Sequence, residues 1–525
     1  MTRTPSAAGA STSPRPAVGP RLVGSLLLRG ARVPGSGAPL DVRVRDGVIT
    51  AVGPRLEREE SEAFLDAEGR WAIPGLWDQH VHLGQVAKSF NRLDLTTATS
   101  AAHALELLRE RLESRPREPA VEGFGFKAPL WTDRPTLSGL DAVVGDVPVV
   151  LASNDVHAGW VNTVARRLLD LPLDPPDDDG LVRETVWFDA LTRFNRIVDD
   201  VAAPGQEMTG YREVLATCAA RGVVGVTDME FHDSTRYWPD RFLSGLTTLR
   251  VRAAVYAPGL DDVLALGYAT GQEIPGGGGL LTQGPLKIIT DGSLGTRTAH
   301  CRDPYPNPGE PDQPHGVQAV SPDELTDLLA RAHAGGLEAA VHALGDAAVD
   351  IALDAFEATG IAGSVEHAQL VAVGQAERMA RLGVVASVQP AHLLDDRDVT
   401  EVIWPGRSAR SFPLRELSDA GVVLALGSDA PVAPLDPWLA MAAAVHRSAD
   451  DRPAWHPEQH LTVAEALAAS TDGRIGLEPG GPGDIVLVDA DPLQPFGSTA
   501  ETSEHLRDMS VAVTLVAGRV VHDGR

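Results

Sequence analysis

Between residues 80 and 474 the chain alternates short apolar β-runs with helix-forming blocks, and this alternation leaves few folds open. The β-runs fall at 147–153, 223–228, 250–256, 286–291, 337–343, 363–367, 384–389 and 422–429, with helical blocks such as 322–334, 346–358 and 463–470 among them. Strands that are apolar throughout and separated by helices belong to a parallel sheet with crossover connections. About eight such repeats suit a closed (β/α)8 barrel, so the fold class is α/β with a TIM-like barrel. Counting the strand before His80 gives nine candidates, one more than a barrel needs. The long gap between His82 and Val223 places 147–153 in an insertion, expected at about 85–220.

The two chain ends read differently. Residues 25–33, 41–45 and 48–52 alternate β-branched and polar residues, with Asp46-Gly47 as a hairpin turn. Residues 484–489 and 510–522 repeat the pattern. A small composite β-sandwich from 22–73 and 478–525 is therefore expected beside a barrel at 74–477. Residues 1–21, rich in Ala, Ser, Thr and Pro, read as a disordered tail.

Lys and Arg number 45 against 72 Asp and Glu, a net charge of −27 that argues against nucleic-acid and anionic-membrane partners. No stretch approaches the ~18 apolar residues of a membrane span. Two cysteines, Cys218 and Cys301, rule out a disulfide framework and fit a reducing compartment, so a cytoplasmic location is the expectation. The expected partner is a small-molecule substrate, and a homodimer is an allowed assembly.

In a (β/α)8 barrel, reactive residues cluster at the C-terminal ends of the strands. His80 and His82 end the first strand at spacing i, i+2, which puts both imidazoles on one face. Lys287 lies in an apolar run where a free ammonium is costly. His342, His367 and Asp429 follow at the ends of later strands. A single strand histidine is more often a core or rim residue than a ligand, but six ligand-capable groups in strand order point to a metal centre. Imidazole and carboxylate donors suit zinc first, with manganese, iron or nickel as alternatives.

Further stretches carry a family resemblance. They are Pro74-Gly75-Leu76-Trp77-Asp78-Gln79-His80-Val81-His82, the run from Lys287 to Ala299, Val341-His342-Ala343-Leu344-Gly345-Asp346, Glu366-His367-Ala368-Gln369, Ser387-Val388-Gln389-Pro390-Ala391-His392 and Gly427-Ser428-Asp429-Ala430-Pro431-Val432. With these the chain resembles the amidohydrolase superfamily, in the branch of N-substituted formamide deformylase-like enzymes. The resemblance implies that His80, His82, His342 and His367 bind metal and that Asp429 both ligates and acts as general base. It also implies that Lys287, if carbamylated by CO₂, bridges two ions; an unmodified lysine leaves one. The implied reaction is hydrolysis of a C–N bond in a non-peptide amide, formamide or cyclic amide through metal-activated hydroxide.

His157 with Trp160 is the candidate lid over the substrate, and His392 the candidate contact for its carbonyl. Trp131, Arg297, Arg407 and Arg410 are weaker candidates, and His232, His333 and His446 read as structural or surface residues. The alternatives are N-acyl-amino-acid deacylation, deamination or ester hydrolysis on the same barrel, and a catalytically silent interaction protein. Neither cysteine stands at a strand end, which disfavours the deacylases with a cysteine ligand, and retention of all six metal-site residues disfavours a silent barrel.

Overall fold

The computed structural model describes residues 24–525 apart from 91, 117, 129–130, 154–157, 184–185, 188, 192, 195–205, 232–233 and 309–311. The expected tail at 1–21 lies outside the described residues. The chain divides into two compact units, one of Met1–Leu83 with Val214–Arg525, the other of Gly84–Glu213.

Among the described residues of the first unit, eight parallel strands form one sheet in chain order. They are Leu76–Val81, Val223–Asp228, Arg250–Tyr256, Leu281–Ile289, Ala339–Ala343, Gly363–His367, Val385–Val388 and Leu424–Leu426. Every residue of Val223–Asp228 is buried, as expected for a strand covered on both faces. The first and last strands meet at their C-terminal ends. There the Asp429 N–H donates to the His80 carbonyl at 2.7 Å, and the His82 N–H donates to the Ala430 carbonyl at 3.0 Å. The barrel thus closes through the backbone of three residues marked in the sequence as metal-site candidates.

Two four-stranded sheets come from the chain ends. One contains Ser25–Ala31, Leu40–Arg45, Val48–Gly53 and Ala63–Asp66; the other joins Trp71–Pro74 to Ile485–Val488, Val511–Val516 and Arg519–Asp523. Residues of both sheets, among them Leu28, Val42, Ile485 and Leu515, share one buried cluster. The expected hairpin is present: Arg45 pairs with Val48, and Asp46 and Gly47 both take positive φ, 48° and 81°. That geometry matches the right-handed twist of the strands it joins.

The second unit is more than a loop insertion. Its five-stranded sheet runs Leu181–Arg183, Ala158–Val161, Val149–Ser153, Val121–Phe126 and Leu93–Asp94, and helices Ala101–Ser114, Leu137–Val144 and Thr163–Leu168 belong to it. Arg166 is buried at its centre, and its guanidinium donates to the carbonyls of Val161, Pro172, Asp179 and Gly180 at 2.9–3.1 Å. Arg166→Met keeps the apolar stem and strips the donors from four carbonyls. The expected cost is about 3 kcal/mol, read as a lower unfolding midpoint in urea with tryptic cleavage appearing first within 84–213. Among the described residues no helix is long and apolar enough to cross a membrane.

Candidate metal centre

The histidine ligand candidates sit at or next to the C-terminal ends of barrel strands, Asp429 just past one, and Lys287 lies two residues inside the end of Leu281–Ile289. Two of them bend the backbone sharply there: His367 has φ 73° and Asp429 φ 55°, a left-handed conformation that non-glycine residues seldom adopt. Backbone held in this region by its surroundings is a feature of functional sites. The ligand atoms of His80, His367 and Asp429 all lie within 4.8 Å of one another, and all three residues are buried. His82 Nε2 lies 3.3 Å and His80 Nε2 3.4 Å from Asp429 Oδ1. The His342 ring stands edge-on to His367 with centroids 4.5 Å apart. Lys287 Nζ is 3.4 Å from His80 Nε2. The structure therefore brings all six residues to one end of the barrel.

Hydrogen bonds indicate which ring nitrogens are free to ligate. Nδ1 of His80 faces Glu366 Oε2 at 2.6 Å, which leaves Nε2 as its bare nitrogen. Nε2 of His342 lies 3.2 Å from the Gly292 carbonyl; an N–H there leaves Nδ1 bare. Burial pushes His342 down to about 3 and lowers His80 and His367 as well, so all three imidazoles are neutral near pH 7. Neutral imidazole is the form that binds metal. Burial opposes a charge on Asp429, but His80, His82, His367 and His392 around it hold its carboxyl well below the usual range. With Nε2 of His80 bare, the Asp429 oxygen that faces it at 3.4 Å sets lone pair against lone pair, a contact that a cation between them would relieve. The donor set therefore fits a divalent ion, and zinc first among them.

Buried carboxylates the sequence reading passed over organise this end of the barrel. Asp78 Oδ1 accepts the His80 N–H at 3.1 Å and the Ser428 N–H at 2.9 Å, latching the first strand to the last beneath the ligands. Burial raises its pKa to about 6. Asp291 accepts the N–H groups of His300, Leu344 and Gly345 at 2.8–3.0 Å and so ties the loops after the fourth and fifth strands. Phe231, half exposed, stacks on His82 with centroids 4.9 Å apart and planes 19° from parallel. Nothing in the local sequence marks Phe231, whereas Asp78 and Asp291 lie inside the quoted motifs.

The remaining candidates separate. His392 Nε2 is buried without a hydrogen-bond partner among the described residues and points towards Asp429 Oδ2 at 3.9 Å. His157 and His232 lie outside the described residues. Trp160 is a core residue of its unit: the ring is fully buried, and its indole N–H donates to the Thr136 carbonyl at 2.9 Å. A fully covered ring with its one donor satisfied has no surface left for a substrate, so Trp160 is not the lid expected from the sequence. Trp131 likewise donates to the Ala98 carbonyl and packs near Phe126. Arg407 holds the carbonyls of Asp303 and Pro304, and Arg410 reaches Asp346 and the Val371 carbonyl. Cys218 and Cys301 are buried, and neither belongs to the cluster of His80, His367 and Asp429 ligand atoms.

Comparison with known proteins places the chain in a family of such barrels. A family model described as "Amidohydrolase family" matches residues 63–522. The YtcJ protein of Bacillus subtilis (strain 168) is 27% identical over 92% of this chain and 96% of its own. The N-substituted formamide deformylase of Arthrobacter pascens is 26% identical over 91% and 94%. Among solved structures, an uncharacterized metal-dependent hydrolase from Pyrococcus horikoshii OT3 superposes with a TM-score of 0.73 at 26% identity, covering 90% of this chain and 98% of that one.

Proposed function

This chain belongs to the amidohydrolase family, and we propose that it is a metal-dependent enzyme hydrolysing the C–N bond of a non-peptide amide, formamide or cyclic amide. The observation that carries the reading is the convergence of His80, His367 and Asp429 ligand atoms within 4.8 Å at the end of the barrel. Zinc is the first-choice ion. His80, His82, His342, His367 and Asp429 would hold it, and a bound divalent ion supplies Lewis-acid polarisation of a carbonyl and acidification of water.

The protein's own groups divide the remaining work. On Asp429, Oδ1 would be the ligand oxygen because it faces both His80 and His82, while Oδ2 lies towards His392 Nε2 at 3.9 Å. Oδ2 therefore takes the proton from the attacking water and later returns it to the departing nitrogen, which is a poor leaving group as an anion. His392, with a buried and unpartnered Nε2, offers its N–H to the substrate carbonyl oxygen. Lys287 is buried, which lowers its ammonium pKa and favours the free amine, whose nitrogen can attack CO₂ to form a carbamate with loss of one proton. Carbamylated, it supplies a carboxylate for a second ion.

The test is hydrolysis by the metal-loaded protein of a panel of formamides, N-acyl amino acids, cyclic amides and esters. Amine release from one amide class is expected; turnover of esters alone overturns the C–N assignment. Exhaustive dialysis against a chelator is expected to lower that rate by at least about 100-fold, with recovery on adding zinc. An undiminished rate in protein shown to be metal-free removes the metal from the reaction.

A further inference from the structure

We propose that Glu366, which is not among the metal-binding groups, is the positioning residue that fixes His80 in the tautomer able to bind the ion. The inference rests on the metal-site reading above and concerns a residue to which that reading gives no role.

Glu366 and His367 are consecutive, yet both reach His80. Strand alternation alone sends neighbouring side chains to opposite faces. The left-handed backbone at His367 breaks that alternation, so Glu366 Oε2 meets His80 Nδ1 at 2.6 Å while the His367 ring lies 5.0 Å from the His80 ring, centroid to centroid. The second oxygen of Glu366 is also occupied: the Ser364 hydroxyl donates to Oε1. Glu366 and His80 are each almost wholly buried, so water does not compete for the contact.

A carboxylate has only acceptors, so the nitrogen facing it carries the hydrogen. Nε2 of His80 is then bare, and Nε2 is the nitrogen that faces Asp429 Oδ1 and Lys287 Nζ, each at 3.4 Å. The other tautomer would put a hydrogen on the ligand nitrogen and two lone pairs against each other at Nδ1. A carboxylate behind a ligand imidazole also raises its basicity and stops the ring from turning. His82 has no such support: its Nδ1 is buried without a hydrogen-bond partner among the described residues. His80 is therefore the anchored member of the pair.

Full-length, metal-free protein is titrated with zinc against a chromophoric chelator, and the cobalt-substituted forms are compared by visible absorption. Glu366→Ala is expected to weaken zinc binding by about 10–100-fold and to alter the cobalt spectrum. Glu366→Gln keeps the volume, but its amide presents either an oxygen or an N–H to Nδ1 and so no longer selects one tautomer. It too is expected to weaken binding. Ser364→Ala is expected to have a smaller effect that vanishes in the Glu366→Ala background. A residue with only a structural role would lower the melting temperature of the metal-free protein and leave zinc affinity alone. Zinc affinity within twofold of the parent in both Glu366 variants overturns the inference, as does a zinc-loaded structure with a Glu366 oxygen bonded to the ion. If the parent protein itself binds no zinc, the metal-site reading falls and takes this inference with it, an outcome distinct from variants that match a zinc-binding parent.

Discussion

Asp429→Asn is expected to lower kcat for the best amide substrate by about 10³–10⁴-fold. The substitution keeps the shape of the side chain and leaves a carbonyl oxygen where Oδ1 faces His80 and His82 at 3.4 and 3.3 Å. What it removes is an oxygen that can take a proton. The amide nitrogen that replaces Oδ2 is a donor, and it would face the N–H of His392 Nε2, 3.9 Å away, donor against donor, with no acceptor left there for a proton. Both changes act on the chemical step, so the loss belongs in kcat more than in KM. Zinc content, measured on the same preparation, separates loss of the base from loss of a ligand. A variant that holds zinc and has lost three or more decades of kcat meets the expectation. One that retains kcat within tenfold of the parent removes Asp429 from the proton path.

How far the sequence spoke for itself depended on the range of the interactions involved. The barrel strands were legible because each is a short apolar run with a polar residue at its C-terminal end, a local pattern that survives without knowledge of the partner strand. The Asp46-Gly47 turn was legible for the same reason. The five-stranded sheet of the second unit was not, beyond the one apolar run at 147–153. Its strand Val121–Phe126 carries glycines at 123 and 125, which weaken a strand signal, and it pairs in parallel with Val149–Ser153 across an intervening helix. Glu366 and Asp78 stood inside recognisable motifs, but their partners are remote: Glu366 meets His80 across 286 residues, and Asp78 meets Ser428 across 350. Trp160 shows the opposite hazard. An aromatic ring in an insertion reads equally well as a lid or as core, and only its burial and its bond to Thr136 decide for core.

Gly427 is the second position where a large effect is expected, and it acts through the seam that closes the barrel. A β-carbon added there would lie 2.7 Å from the His80 nitrogen, 2.8 Å from its Cβ and 3.1 Å from its Cα. The first two are backbone and branch-point atoms with no rotamer to move into. Nor is the surrounding backbone free to yield, because the Gly427 N–H is held by the Val388 carbonyl at 3.0 Å and the Asp429 N–H by the His80 carbonyl at 2.7 Å. Gly427→Ala must therefore push the first and last strands apart between the ligands His80 and Asp429. Forcing a methyl into a packed contact costs about 1–3 kcal/mol of stability, and a displacement of reacting groups near 1 Å costs about 100-fold in rate. The expected result is a folded protein with a lower melting temperature, weaker zinc binding and kcat/KM reduced by about 100-fold. Kinetics within twofold of the parent would mean that the seam adapts without moving His80, and that ligand geometry is set by Glu366 and Asp78 alone.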